Sequence, residues 1–236
     1  PQPAFIGLRC LDTAPAPRTP GMSGGDNAVT TEAIRLDDLV PFIDWSPFFH
    51  TWELRGRFPS ILDHPKHGDE ARKLYNDAQE LLKEIVSRRL LRARAVYGFF
   101  PANRLPGAED VAVYTDETRS QVTTTFHFLR QQMEKQDDSA NWSLADFIAP
   151  KPESGPAPAD HLGGFAVTTG IGLKDLVERY KAAHDDYRAI MAEAIADRLA
   201  EAFAEFLHHR VRREWGYGQT ENLTVEQIIE EQYRGI

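Results

Sequence analysis

Cysteine is nearly absent from this sequence, which has a single one, Cys10, among 236 residues. A disulfide within the chain is therefore impossible, and a zinc site built from several cysteines is excluded. Long apolar runs are missing too, because no stretch approaches the roughly 20 residues that a membrane-spanning helix needs. Basic residues are in deficit, since 27 Lys and Arg against 36 Asp and Glu give a net charge of −9. This balance argues against nucleic acid or an anionic membrane as the main partner.

The first ten residues, PQPAFIGLRC, contain neither an initiator Met nor the pattern of a signal peptide. Together with the sparse cysteine, this predicts a cytoplasmic protein, and the missing Met predicts a piece of a longer one. The rest of the composition is that of a globular domain, with 42% hydrophobic and 27% charged residues. A chain of this length can bury a core without disulfide or metal support.

The N-terminal third divides into segments of different character. Residues 5–11 predict a short edge strand, and residues 14–35, rich in Pro, Gly, Ser and Thr, predict a loop or linker. Ser46, followed by proline and then by aromatics at helical spacing, predicts the N-cap of a short helix. Residues 69–91 carry apolar side chains with a period of 3.6 and predict an amphipathic helix.

The middle of the chain combines β-branched and aromatic residues with turn residues, which predicts short strands. These strands are expected at residues 93–102, 109–117, 119–129 and 163–170. Residues 173–215 are helical in character, with a break expected near 184–187. Thr224, with Gln227 three residues later, predicts a capping box at the start of a last helix. Helices at both ends and strands between them predict an α+β fold with an antiparallel sheet.

Asp44 is the most informative single residue, because it lies in an aromatic segment, PFIDWSPFF. A carboxylate in apolar surroundings loses hydration and needs a partner, either a protein donor or a cationic ligand. Two interpretations remain open on the residues alone. Asp44 satisfies backbone donors at the start of the helix that follows, or it binds a ligand.

An acidic series at four-residue spacing runs along the predicted C-terminal helix. Its members form a slowly rotating stripe on one side of the helix and are Glu193, Asp197, Glu201 and Glu205. The simpler interpretation is a solvated face paired with Arg188, Arg198 or Arg210. The functional interpretation is that one member faces a pocket and accepts ligand hydroxyls or an amine.

Other patterns that carry chemistry are weak in this sequence. His184 and Asp185 are adjacent, so they point in different directions around a helix and lack the spacing of a zinc face. The segment TTGIGLKD has too few glycines for a phosphate loop and predicts a tight turn. The nucleophile motif G-x-S-x-G is absent. On these grounds the sequence predicts an α+β domain with an acidic, aromatic-lined cleft. These patterns do not indicate which reaction, if any, the domain supports.

Several longer segments occur together in one known family. In order, they are PFIDWSPFFHTWELRGRFPSIL, VYGFFPANR, YTDETR, FHFLRQQ, LADFIAP, GGFAVTTG, HDDYRAIMAEAIADRLAEAFAEFLHHRVRREWGY and ENLTVEQIIEEQYRGI. The sequence from Leu36 to Ile236 resembles the S-adenosylmethionine-binding activation domain of cobalamin-dependent methionine synthase. Residues 1–13 then correspond to a lead-in segment, 14–35 to a flexible insertion, and 36–236 to the activation domain.

The resemblance implies a fold and a task. The family fold is a helix-rich, C-shaped domain around a bent antiparallel sheet. The implied task is the repair of methionine synthase, a methyltransferase: oxidised cob(II)alamin is reduced by flavodoxin or another reductase, and S-adenosylmethionine then methylates the cobalt. The implied partners are that reductase and the cobalamin-binding domain of methionine synthase, which holds the cobalamin.

The resemblance also assigns binding residues. Asp44, Glu201 and Glu231 match carboxylates that line the S-adenosylmethionine site, and no residue is assigned as a catalytic acid or base or as a metal ligand. Carboxylates suit a ligand that carries an ammonium and a sulfonium, and aromatic faces near Asp44 would favour the sulfonium. The family continues past the position of Ile236 into an Arg-Pro-Ala-Pro-Gly-Tyr-Pro segment, so we expect a domain truncated at its C-terminus that holds at most half of the site.

Two alternatives come from other functional classes. The first is a non-catalytic interaction module that docks on a corrinoid protein or flavodoxin. An acidic flavodoxin would need a basic patch, for which the candidates are Arg88, Arg89, Arg92 and Arg94. The second is a metal hydrolase that uses His184 and Asp185.

Overall fold

A computed structural model describes residues 2–14, 29–107, 109–135, 139–219, 221, 223–229 and 232–233. Its helices are α1 (Ser46–His50), α2 (Gly68–Ser87), α3 (Leu173–Ala182), α4 (Asp186–Trp215) and α5 (Val225–Ile229). Its strands are β1 (Gly7–Asp12), β2 (Thr30–Ala33), β3 (Arg92–Arg104), β4 (Asp110–Tyr114), β5 (Val122–His127) and β6 (His161–Ile171). Short 3-10 helices lie at Leu36–Asp38, Val40–Phe42, Ser60–Asp63 and Leu144–Phe147.

The strands form one sheet in the order β2-β1-β3-β4-β5, with β6 also paired to β3. The predicted α+β class is confirmed, and β3, β4 and β5 are antiparallel neighbours as expected. Two details differ from the prediction. β1 is not an edge strand, because β2 pairs with it in parallel, and β2 falls within residues 14–35, where the composition predicted a loop. Most of that predicted loop, residues 15–28, lies outside the described residues.

The chain divides into two compact units, the first formed by Arg9–Val96 and Ala166–Ile236. Its helix α2 buries the apolar side predicted from the 3.6 period, including Leu74, Leu81 and Ile85. α4 packs against α1, α2 and α3 and buries Leu199 and Phe203 completely. These helices carry most of the core of this unit.

The turn from β6 into α3 confirms the interpretation of TTGIGLKD as a tight turn. Gly172 has a φ of +93°, and a Cβ at this position would lie 2.9 Å from the carbonyl oxygen of Leu90. The predicted break between the last long helices is also present, since α3 ends at Ala182 and His184 takes a φ of +56° before α4 begins. No helix in the described part of the chain is long and apolar enough to cross a membrane.

The second unit comprises Gln2–Leu8 and Tyr97–Phe165. Ala102 pairs with Val113, and with Val111 and Ala145 they form its small apolar core. Next to this core, Arg130 donates to the carboxylates of two acidic residues, Glu109 and Asp146. These ion pairs hold the pKa values of both carboxyl groups below their usual range.

Candidate functional site

Asp44 lies between the 3-10 helix Val40–Phe42 and helix α1, and its side chain is exposed. Its Oδ1 accepts a hydrogen bond from the backbone N–H of Ser46 at 2.9 Å. Oδ2 accepts none from the residues that the structure describes. The expectation that Asp44 loses hydration is therefore wrong, whereas its contact with a backbone donor at the helix start is confirmed. One carboxylate oxygen is fixed by the backbone and the other faces solvent.

The predicted cap of α1 is wrong in detail. Trp45, not Ser46, occupies the N-cap position, and no side chain caps the helix from there. The Oγ of Ser46 instead accepts a hydrogen bond from the backbone N–H of Phe58 at 3.1 Å. This bond fixes the segment after α1 to its first residue and leaves the Asp44 carboxylate to accept from the Ser46 N–H.

The aromatic residues around Asp44 form core rather than a ligand-facing wall. Trp45 packs edge-on against Phe48 and against Tyr75 of α2, with centroid distances of 5.3 and 5.2 Å. All three neighbours Trp45, Phe48 and Phe49 are buried. Their rings anchor the backbone that follows Asp44, so the exposed carboxylate is attached to a buried segment.

A second aromatic contact joins the Asp44 segment to α4. The ring of Phe42 lies 5.6 Å from that of Phe206 and 6.2 Å from the imidazole of His209. Burial, followed by the charges of Arg213 and Arg212, lowers the pKa of His209, so the uncharged imidazole is favoured beside Phe42. The segment that carries Asp44 is thus packed on the C-terminal half of α4.

The acidic stripe on α4 is mostly solvated, as its simpler interpretation predicted. Glu193, Asp197 and Glu201 are exposed and Glu205 is half-buried. Of the expected arginine partners, Arg198 donates to Asp197 at 2.6 Å. Within the described residues, Glu201 makes no hydrogen bond or ion pair. Glu201 is therefore available to a ligand on the same helix that supports the Asp44 segment.

The other two expected arginine partners also contact carboxylates outside the stripe. Arg210 donates to Glu32 and to Glu214, and Arg188 lies 3.7 Å from the Asp185 carboxylate. Arg198 thus provides a predicted pairing of the stripe, with Asp197.

The segment after α4 packs against the same region. Thr224 and Gln227 form the predicted capping box, with bonds of 2.9 and 3.3 Å. α5 packs on α4 and on Val40–Phe42, and its Ile228 is 2% exposed. Glu231, the third predicted site residue, lies outside the described residues. The structure thus brings together the elements that carry Asp44 and Glu201, and α5 joins them.

Residues that the sequence interpretation missed lie at the end of α4. Arg212 is 1% exposed, donates to both oxygens of Glu221 and lies over the ring of Tyr233. Tyr233 also contacts His208, with ring centroids 5.1 Å apart. Only the three-dimensional contacts reveal this cluster, because Arg212 stands among similar arginines in the sequence.

The two residues of the metal-hydrolase hypothesis, His184 and Asp185, lie at the junction between α3 and α4. The Asp185 carboxylate caps α4 by accepting from the Arg188 N–H at 3.0 Å, and His184 lies in the linker before the helix. No three His, Cys, Asp or Glu side chains among the described residues are grouped as a metal ion would need.

The arginines of the hypothetical basic patch are largely paired within the chain. Arg92 and Arg94 contact the buried carboxylate of Asp12, and Arg88 pairs with Glu84 one turn earlier on α2. Asp12 and Glu84 supply two negative charges against the four arginines, so these pairs neutralise about half of the charge that an acidic docking partner would need.

Two comparisons with known proteins agree with each other. The family described as the activation domain of vitamin B12 dependent methionine synthase matches residues 35–236. A crystal structure of the MetH reactivation domain bound to S-adenosylhomocysteine (AdoHcy) is similar over the whole chain, with 42% sequence identity and a TM-score of 0.84. The chain covers 65% of that structure, so it spans slightly less than two thirds of that relative.

Proposed function

The chain belongs to the activation-domain family of vitamin B12-dependent methionine synthase, and on that premise we propose that it binds S-adenosylmethionine for reductive reactivation of the enzyme. In this reaction the sulfonium methyl group passes to the reduced cobalt of cobalamin, and the electron pair of the broken C–S bond leaves on AdoHcy. The cobalamin is held by a neighbouring domain of methionine synthase, and the electron comes from flavodoxin or another reductase. Homocysteine and folate chemistry belong to regions outside this chain.

The observation that carries the proposal is the exposed, backbone-anchored carboxylate of Asp44. Its Oδ1 is fixed by the Ser46 N–H, and its Oδ2 is open to a ligand donor. A carboxylate in a fixed position forms a charge-assisted hydrogen bond with an ammonium or a ribose hydroxyl without a large ordering cost. The crystal structure that matches this chain holds AdoHcy, which carries both kinds of donor.

Glu201 and Glu231 complete the proposed set of acidic ligands. Glu201 is exposed on α4, to which the Asp44 segment is packed through Phe42. Glu231 follows α5 in the sequence and is assigned by family resemblance. The protein positions the methyl donor and excludes water from it. No general acid or base is required of these three residues, because methyl transfer from a sulfonium moves no proton.

The proposal is tested by calorimetric titration of the chain with S-adenosylmethionine and with AdoHcy. Saturable binding is expected, and Asp44→Asn should weaken it about 10- to 100-fold, the value of one hydrogen bond to a charged group. Asparagine still accepts from the Ser46 N–H at this position, so the fold is retained while the charge is lost. Glu201→Gln should weaken binding in the same direction.

Glu193→Gln is the matched control, because Glu193 is exposed on the same stripe two turns before Glu201. It should bind as tightly as the unsubstituted chain. If the chain binds neither ligand at millimolar concentration, it is not by itself a methyl-donor site. The result would then favour the alternative of a non-catalytic interaction module. If the Asp44→Asn variant and the unsubstituted chain bind with equal affinity, Asp44 is not part of the binding site.

A further inference from the structure

Two arginines in the loop after α1, Arg55 and Arg57, are exposed and carry no counter-charge. Their side chains make no hydrogen bond or ion pair with any residue that the structure describes. Most other arginines of the described residues pair with a carboxylate, as Arg92 does with Asp12. Glu53 is the one acidic residue in the loop 51–58. The loop is therefore positively charged, on a chain whose net charge is −9.

The backbone that carries these two arginines is held by the core. Leu54 is 6% exposed, and the ring of Phe58 lies 5.1 Å from that of Tyr75 on α2. Between them, Gly56 lies so close to Ile61 that a Cβ at this position would be 3.0 Å from the Ile61 Cγ1. The two guanidinium groups thus extend from a loop whose backbone is ordered before any partner arrives, which lowers the cost of binding.

The same loop adjoins the carboxylate that the proposed function assigns to the methyl donor. The backbone N–H of Phe58 donates to the Ser46 Oγ at 3.1 Å, and the Ser46 N–H donates to the Asp44 carboxylate at 2.9 Å. A methyl donor must lie beside the cobalt when the methyl group is transferred, and the reductant must deliver its electron to that same cobalt. A docking surface next to Asp44 would place the two donors on one side of the domain.

The composition of this surface indicates the kind of partner. No Phe, Trp, Leu or Ile side chain is exposed between residues 45 and 67. Permanent interfaces are more hydrophobic than this, whereas electron-transfer partners meet through small contacts that are guided by complementary charge. The surface therefore fits a transient acidic partner better than a domain that stays bound.

We propose that Arg55 and Arg57 form a docking surface for an acidic electron-transfer protein, the reductase of the reactivation reaction. The inference rests on the proposed function and adds to it a place where the reductase binds. The two arginines attract the acidic face of the partner and orient it beside the Asp44 segment. They do not contact the methyl donor.

The test is the affinity of the chain for a purified flavodoxin of acidic net charge, measured by surface plasmon resonance at low ionic strength. The double variant Arg55→Gln/Arg57→Gln should bind about tenfold more weakly, because two charge pairs across the contact are lost. The difference should nearly disappear in 1 M salt, where charges are screened beyond about 3 Å. Both side chains are exposed, so the variant should keep the circular dichroism spectrum of the unsubstituted chain.

Arg88→Gln/Arg89→Gln is the matched control, because it removes the same charge from the other group of arginines. Arg88 already pairs with Glu84, and both positions follow the last residue of α2, a helix of 20 residues. The loop 51–58 packs near the first turns of α2, so the two groups are separated by about 30 Å along the helix. The control should bind flavodoxin within about twofold of the unsubstituted chain.

Two results would overturn the proposed surface while binding of AdoHcy by the chain leaves the proposed function intact. The first is absence of flavodoxin binding, or equal binding by the Arg55→Gln/Arg57→Gln variant and the unsubstituted chain. The second is a loss in Arg88→Gln/Arg89→Gln as large as in the loop variant, which would mean that only the overall charge matters. If the chain fails to bind AdoHcy but loses flavodoxin with the loop arginines, the proposed function fails and the docking surface stands.

Discussion

Removal of the Asp12 carboxylate should destabilise the protein strongly, although this residue lies far from the proposed site in the sequence. Asp12 ends β1 and is 2% exposed. Its Oδ1 accepts from Arg92 Nε at 2.8 Å and from the Ala14 N–H at 2.9 Å, and its Oδ2 lies 3.3 Å from Arg94 Nε. The side chain therefore connects the first strand to β3 through charged hydrogen bonds.

The expected loss for Asp12→Ala is about 3 kcal/mol in the free energy of unfolding. Removing one partner of a buried ion pair costs about 3–5 kcal/mol, because the other charge is left without compensation. The side chain of Arg92 is 38% exposed, so its guanidinium regains water in the variant. The lower end of the range therefore applies.

The stabilisation by Asp12 should depend on pH. The hydrogen bond from Arg92 lowers the pKa of Asp12 and outweighs the opposite effect of burial. Because the folded-state pKa is below the unfolded one, the stabilisation is present above pH of about 4 and is lost as the pH falls through the folded-state pKa. Asp12→Asn should therefore differ most from the unsubstituted chain near neutral pH and progressively less in acid.

Urea unfolding followed by circular dichroism, near neutral pH and in acid, measures both effects. Asp63→Ala is the control, because the Asp63 side chain is 90% exposed and lies 3.4 Å from Arg72. Such surface pairs contribute about 0–1 kcal/mol. Equal losses of stability in Asp12→Ala and Asp63→Ala would refute the reasoning, as would a loss in Asp12→Asn that does not change with pH.

Two further predictions concern α4 and its surroundings. Phe203 is fully buried, so Phe203→Ala should lower the free energy of unfolding by about 3–5 kcal/mol, and the half-buried Phe206→Ala by less, as urea titration would reveal. Burial and the hydrogen bond to Asp77 raise the pKa of Tyr187 to about 12; absorbance at the phenolate band should show this late titration, and Asp77→Asn should bring it closer to about 10. The stabilisation that Tyr187 contributes is present below its unfolded pKa and is lost as the pH rises through 12.

The helices and the antiparallel strands could be predicted from short sequence patterns, because the signal for each of these elements is contained in residues close together in the chain. The apolar period of α2 and the capping box of Thr224 are complete within one or two turns. β2 was missed because its four residues are all exposed and carry no alternation of apolar and polar side chains. Its partner β1 lies beyond a long intervening segment, and such pairing is not encoded in adjacent residues.

The environment of Asp44 was predicted wrongly for a related reason. The aromatics of FIDWSPFF are neighbours of Asp44 in the sequence and predict a carboxylate without hydration, but they do not cover it in the structure. In the structure Ile43 and Trp45 are buried while Asp44 is exposed between them. Ile43 is extended whereas Trp45 has helical backbone angles, so Asp44 lies where the chain changes direction and its apolar neighbours can anchor it without covering it.

The same geometry makes Asp44 suitable for binding. An exposed carboxylate on a mobile loop would have to be ordered when a ligand arrives, at a cost in free energy. Here the rings of Trp45 and Phe42 fix the backbone on either side, the first against α2 and the second against α4. The Ser46 N–H then fixes one oxygen of the carboxylate itself. The aromatic residues thus contribute to recognition by holding the charge in place, and a ligand meets an oxygen whose position the core has already determined.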